Sequence, residues 1–281
     1  MANWLEGLDS KQPFCLFVAF HSPHEPIATA EEFSGLYTQT TEKNKALYCG
    51  NVSQMDSEFG RLMTVLQKRG LRDNTMVLFS SDNGPETLNR YPGAARSYGS
   101  AAPLRSMKLS LYEGGYRVPG IVRWPGHVKP AQVSATPACG LDMMPTLCEM
   151  AGVTTPNPFM LDGNSLVPLL DGKPFQRRRR PLHWHYFNAL DQPRAAMRDG
   201  DWKILGLPSS LPQGKPGSSF QPSDIDYIRD MQLTQFELYN LKDDPGETTN
   251  LAAREKKKLV LMRETLLRLH EDVKKESPVW N

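Results

Sequence analysis

Three short stretches carry residue types that could do chemistry. The first is "FSSDNGPE", in which Asp82, Asn83 and Gly84 follow an apolar run. A carboxylate beside a carboxamide offers hard oxygen ligands, suited to calcium or magnesium rather than zinc. The competing reading is a turn, because Asn-Gly is a strong hairpin signal. A hairpin needs a second strand directly after it, and "PETLNRYPGAARSYGSAAPLRS" shows no alternation. Two ligands alone are too few, since calcium takes about 6–8 oxygens. On these residues by themselves, metal ligand and loop both stay open for Asp82 and Asn83.

The second stretch is "HSPHEP", His21 to Pro26. Flanking prolines stiffen the backbone around His24 and limit the directions its ring can take. A histidine so held can hydrogen-bond an anionic substrate or pass a proton. Satisfying loop backbone groups is an equal alternative for His24 and the preferred one for His21. The third stretch is "MKLSLYEGGYRVPG". Lys108 offers a compact charge for a sulfate or phosphate oxygen, or else is a solvated surface lysine. Gly114-Gly115 permits a tight turn, which Glu113 and Arg117 are expected to tie together.

Other groups fit structural roles better. The run Arg177 to Arg180 reads as a solvated connector rather than a polyanion site. His183 and His185 alternate and so share one side of a strand, where packing or hydrogen bonding outweighs metal binding. Arg90, Arg96 and Arg105 could meet an anionic sugar or lie on the surface. The four cysteines, Cys15, Cys49, Cys139 and Cys148, form no Cys-x-x-Cys pair and read as buried, unpaired thiols. No G-x-S-x-G elbow and no glycine-rich phosphate loop is present.

Elements must hold these residues in place. "FCLFVAF", Phe14 to Phe20, is a continuous apolar run that predicts a strand covered on both faces. A helix is predicted over 42–69, with Val52, Met55, Phe59, Leu62, Met63 and Leu66 at helical spacing and Gly70 as its stop. "TMVLFSS" and "VPGIVRW" predict two more strands, and 141–150 a short helix. This order indicates a doubly wound, mostly parallel α/β sheet flanked by helices. In that architecture ligands bind beyond the carboxyl ends of strands, where His24 and Asp82 fall. From about Thr154 the chain becomes turn-rich, a connector over 154–180. Over 181–281 a small antiparallel sheet and a last helix are expected, with an Asp199-Gly200 hairpin turn, a surface loop over 206–223, and Asn250 as the N-cap of a helix over 251–275.

Composition narrows the class. The 281 residues carry a formal net charge of +2, with 39% hydrophobic and 9% aromatic residues. That is enough apolar content for a packed core, and the charge balance gives no reason to expect nucleic acid. No apolar run approaches the roughly 20 residues of a membrane span. The opening "MANWLEGLDSKQPF" lacks a basic region followed by an apolar stretch.

Taken together, "HSPHEP", "FSSDNGPE" and "KLSLYEGGYRVPGIVRWPG" resemble consecutive signatures of the type I sulfatases of the alkaline phosphatase superfamily. The flavour is that of arylsulfatase A and N-acetylgalactosamine-6-sulfatase. "ELYNLKDDPGETTNLA" resembles the segment that leads into the final helix of that family. The resemblance implies a partial alkaline-phosphatase-like fold, with residues 1–153 the C-terminal part of the catalytic domain. It implies calcium held by Asp82 and Asn83, with His24 and Lys108 on the sulfate of a sulfated carbohydrate or aryl sulfate ester. It also implies a formylglycine nucleophile, made within C-x-P-S-R or S-x-P-S-R. Neither motif occurs in these residues, and the paired aspartates and Gly-Lys-Trp-His segment of the family are also missing. The chain is therefore expected to begin midway through a sulfatase and to be inactive alone. A phosphoesterase of the same superfamily, or a non-catalytic module binding sulfated glycan, is the alternative. The family leads one to expect secretion or a periplasmic address.

Overall fold

The computed structural model describes residues 2–9, 11–88, 97–154, 161–177, 180–211 and 221–277. Arg90, Arg96, two of the four arginines of the connector, and residues 212–220 of the loop expected over 206–223 lie outside them. The chain divides into two compact units. One comprises Met1–Ser81, Pro85–Ser100 and Pro119–Lys129, the other Asp82–Gly84, Ala101–Val118 and Pro130–Asn281.

The first unit is organised by one long helix. Short helices α1 (Ala2–Glu6) and α2 (Glu31–Ser34) precede α3 (Lys43–Lys68), which matches the helix expected from its apolar spacing. Leu5, Val65 and Leu66 form the unit's buried centre, with Phe14, Leu62, Met63, Leu71 and Val77 packed against it. The segment after "HSPHEP" is tied to α3 by polar contacts. Asn51 Nδ2 donates to Ala28 O at 2.7 Å, and Thr29 Oγ1 donates to Leu47 O at 2.8 Å. Strand β1 (Val77–Phe79) pairs antiparallel with β2 (Ile121–Arg123), in register Leu78 with Val122.

Two expectations for this unit are corrected. Phe14 to Phe20 joins no sheet, and Phe17 is 90% exposed. A covered strand needs hydrogen-bonded neighbours on its edges, and among the described residues none pairs with this run. The β1–β2 pair is antiparallel rather than parallel. Sheets of the α/β class often carry antiparallel edge pairs, so the class itself is unaffected.

The second unit holds α4 (Glu113–Tyr116), α5 (Met143–Met150), α6 (Val167–Leu170) and a four-stranded antiparallel sheet. The sheet order is β3 (Leu182–His185), β4 (Ala195–Asp199), β5 (Trp202–Pro208), β6 (Leu233–Asn240). The Asp199-Gly200 hairpin forms as expected: Asp199 faces Trp202, and Gly200 sits at φ 58°. Helix α7 (Ile225–Asp230) precedes β6, and α8 (Lys256–Glu276) closes the chain.

Both faces of this sheet are covered, which explains why β4 and β5 are apolar without alternation. Ala195, Met197, Ile204 and Leu238 face Met262, Leu266 and Leu269 of α8. The alternate residues Ala196, Leu205 and Tyr239 face Leu111 and Tyr112. The sheet thus supports the very segment that carries Lys108 and the Gly-Gly turn. Helix α8 begins five residues later than expected, with Glu255 as its N-cap. Asn250 is occupied elsewhere: its Oδ1 accepts from Leu238 N at 3.1 Å and from Ala252 N at 3.0 Å. Its bond to Ala252 N caps the turn over 252–254, and the helix starts only after that turn.

Candidate active site

Asp82, Asn83 and Gly84 are fixed by their own backbone. Asp82 Oδ1 accepts from Asn83 N at 2.9 Å, and Asn83 Nδ2 donates to Gly84 O at 2.9 Å. Gly84 N donates to Gly115 O at 2.9 Å. A Cβ on Gly84 would stand 1.9 Å from Gly114 O, so only glycine permits this approach. The turn it meets is equally crowded. A Cβ on Gly114 would lie 2.4 Å from Arg105 O and Ser106 O, and one on Gly115 would lie 2.2 Å from Ser110 O. Three bare backbones therefore interlock: the Asp-Asn-Gly segment, the Glu-Gly-Gly turn, and the loop that carries Lys108. Residues 85–88, directly after Gly84, form no strand, so Asn83-Gly84 opens no tight hairpin there.

The Lys108 loop is held from both ends. Ser106 and Leu109 sit in the left-handed region at φ 66° and 74°, an uncommon conformation for side-chain-bearing residues. Ser106 Oγ and Ser110 Oγ each donate to Asp191 Oδ2 at 2.6 Å. Leu190 N donates to Leu109 O at 2.6 Å. Neither Leu190 nor Asp191 was signalled by the sequence. Arg105 serves the framework: its guanidinium lies 3.7 Å from the Tyr112 ring centroid and donates to Tyr239 OH and Glu247 O, both at 3.2 Å.

Behind the Gly-Gly turn lies a buried charge cluster. Lys203 Nζ is 3.0 Å from Glu113 Oε1 and 2.8 Å from Glu247 Oε1, and all three side chains are fully buried. Glu247 Oε2 also accepts from Glu113 N at 2.6 Å. Burial pushes the Glu247 carboxyl up, while the Lys203 ammonium and the Glu113 N–H pull it down. Tyr116, stacked on Trp184 with centroids 4.3 Å apart, is pushed well above the usual phenol range by burial and the two carboxylates. Arg117 and Arg198 each approach Glu113 Oε2 at 3.5 Å. Glu113 and Arg117 tie the turn, as their spacing suggested. Lys203 and Glu247 escaped notice because a lone lysine in a strand and a glutamate in "DDPGETT" carry no spacing signal.

His24 belongs to the first unit. A tight turn, His24 N to His21 O at 2.9 Å, sets its backbone, and the two imidazole centroids are 5.8 Å apart. His24 Nδ1 lies 2.6 Å from Glu25 O. A carbonyl oxygen only accepts, so Nδ1 carries the proton and, in the neutral ring, Nε2 is the acceptor.

The other candidates resolve as structural. Arg177 forms a fork with buried Asp142, at 2.8 Å to Oδ1 and 2.7 Å to Oδ2, and Asp142 also accepts from Cys139 N and Asn164 N. His185 stacks on His270 with centroids 5.3 Å apart, and His183 lies 5.8 Å from it. Cys15 is exposed and the other three cysteines are partly buried, all free thiols; the expectation of uniform burial fails with the Phe14–Phe20 strand. Among the described residues no group of three or more His, Cys, Asp or Glu could hold a metal. Asp82 and Asn83 are oxygen donors whose chemistry fits part of a calcium shell.

The sequence model of the sulfatase family, "Sulfatase", matches residues 1–153. A second, "N-sulphoglucosamine sulphohydrolase, C-terminal", matches residues 107–207. Arylsulfatase A of Homo sapiens is 32% identical over 269 residues, covering 88% of this chain and 49% of that protein. N-acetylgalactosamine-6-sulfatase of Mus musculus is 30% identical over 245 residues, 84% of this chain and 44% of that protein. Among solved structures, Ps i-CgsB in complex with k-i-k-neocarrahexaose aligns at TM-score 0.74 and 25% identity, over 96% of this chain and 53% of the other. The chain spans about half the length of the relatives it matches. These likenesses bear out the α/β, alkaline-phosphatase-like class expected from the sequence.

Proposed function

The chain belongs to the sulfatase family, and from that premise we propose that it carries the sulfate-recognition side of a sulfuric-ester hydrolase site. Asp82 and Asn83 would contribute carboxylate and carboxamide oxygens to a calcium ion. Calcium, when bound, supplies positive charge that polarises the sulfate oxygens. Lys108 directs its ammonium at a peripheral sulfate oxygen, where three N–H donors meet growing negative charge. His24 in its imidazolium form would give a proton to the bridging oxygen, so that the alcohol leaves neutral as the sulfuryl group passes to a nucleophile supplied from outside these residues. The substrate class is a sulfated carbohydrate or an aryl sulfate, and such substrates favour an exported enzyme. Residues 1–153 act as catalytic-domain sequence, 154–180 as connector, and 181–281 as the supporting subdomain.

The observation that carries this reading is the glycine interlock. Gly84 on Gly115, with Gly114 and Gly115 on the Lys108 loop, gives the proposed ligands and the lysine one shared backbone frame. The nucleophile motif C-x-P-S-R does not occur in the 281 residues. On this proposal the polypeptide by itself binds but does not turn over. Terbium, a hard cation that luminesces when bound, tests the ligand assignment. The parent chain is expected to sensitise terbium emission that calcium competes away, and Asp82→Ala to weaken it at least several-fold. Equal emission from parent and Asp82→Ala would remove Asp82 from the ligand set.

A further inference from the structure

Asp191 is joined to the Lys108 loop by contacts that no spacing pattern announces. Its Oδ2 accepts from Ser106 Oγ and Ser110 Oγ, both at 2.6 Å, one donor on each side of Met107-Lys108-Leu109. Bonds this short between a hydroxyl and a carboxylate are charge-assisted and stronger than neutral ones. The next residue back closes the same gap from the main chain, Leu190 N to Leu109 O at 2.6 Å. The loop needs such restraint, because Ser106 and Leu109 both sit at positive φ.

Asp191 is itself built in. Arg194, almost fully buried directly before β4, donates through Nη1 to the carbonyl oxygens of Asp191, Gln192 and Pro193 in turn. Arg194 N donates to Gly206 O at 2.9 Å, and Tyr186 N donates to Arg194 O at 3.0 Å. The clamp is thereby anchored in the four-stranded sheet. A chain of contacts runs from β5 through Arg194 and Asp191 to both shoulders of Lys108.

We propose that Asp191 is a positioning residue, which fixes the Lys108 ammonium for a sulfate oxygen by accepting hydrogen bonds from Ser106 and Ser110. It touches no substrate. Its role rests on the assignment of Lys108 to the sulfate. Asp191→Asn keeps an acceptor oxygen but loses the charge that strengthens both bonds, so it retains part of the restraint, and Asp191→Ala loses it all.

The test is competitive labelling of Lys108 with trace acetic anhydride, read by peptide mass spectrometry, with inorganic sulfate as the probe. Lys173, exposed and paired with Asp171 at 2.9 Å, is the internal control. Sulfate is expected to slow labelling of Lys108 in the parent chain. In Asp191→Ala, about tenfold more sulfate is expected for the same protection, as loss of a charge-assisted bond implies. Asp191→Asn is expected to fall between the parent and Asp191→Ala. The double variant Ser106→Ala with Ser110→Ala leaves the Asp191 turn intact and is expected to behave as Asp191→Ala, so it decides the matter if that variant fails to fold. Equal protection in the parent and in the double variant overturns the positioning role and leaves Lys108 on the sulfate. Absence of protection in the parent overturns the Lys108 assignment, and the positioning role with it.

Discussion

At Gly84 one methyl group is enough to probe the site. A Cβ there would stand 1.9 Å from Gly114 O and 3.0 Å from Gly114 C, and backbone cannot swing aside as a long side chain can. Gly84→Ala is expected to lower stability by about 1–3 kcal/mol, read as a fall in melting temperature, and to weaken terbium binding at Asp82 and Asn83. An unchanged melting temperature with unchanged emission would mean that the three backbones are not locked. At this scale the sequence was legible where chemistry and neighbours coincide. Glu113 and Arg117 stand four residues apart on the Glu-Gly-Gly turn and pair across it at 3.5 Å, so residue type and place agree there. Asp191 was not legible, since it acts across more than eighty residues through two serine hydroxyls. Lys203 and Glu247 were hidden because ion pairing, not pattern, allows charges to be buried.

Among the elements, the β3–α8 contact carries a measurable pH signature. His185 is held down to about 3, first by burial and then by the neighbouring His270 and His183. His270 is also lowered, mainly by burial. An unfolded histidine titrates near 6.5, so below that pH the unfolded chain binds protons that the folded His185 refuses. Stability is therefore full above about pH 6.5 and falls as the pH drops toward the folded value. Between pH 7 and 5 the expected contribution is a loss of about 1–2 kcal/mol, followed by urea denaturation. His185→Phe is expected to flatten that part of the profile; an equally steep profile in the variant would assign the acid sensitivity to other groups. Helix α3 and the Asp199-Gly200 hairpin could be read from the sequence because periodicity and turn chemistry are local. Phe14 to Phe20 could not, because whether an apolar run becomes a strand depends on its neighbours. Asn250 looked like a cap but was taken by β6, a tertiary contact that local patterning does not contain.

For the molecule as a whole, two compact units and a half-length match to the sulfatases frame the function. Asp82, Asn83 and Lys108 share one unit, and His24 lies in the other. Fold class and family followed from a few ordered motifs, since the strand ends and the Gly-Gly turn recur with their chemistry. The supporting sheet was foreseen in outline, but not its two covered faces, which depend on Leu111 and Tyr112 reaching β4 and β5. The most direct measurement is turnover of an aryl sulfate in calcium by the 281-residue chain, alone and joined to a relative's segment bearing the formylglycine motif and the paired aspartates. The expected result is no turnover alone, turnover when joined, and its loss on Asp82→Ala or Lys108→Ala. Turnover by the chain alone, or undiminished turnover by the joined protein carrying either substitution, would contradict it.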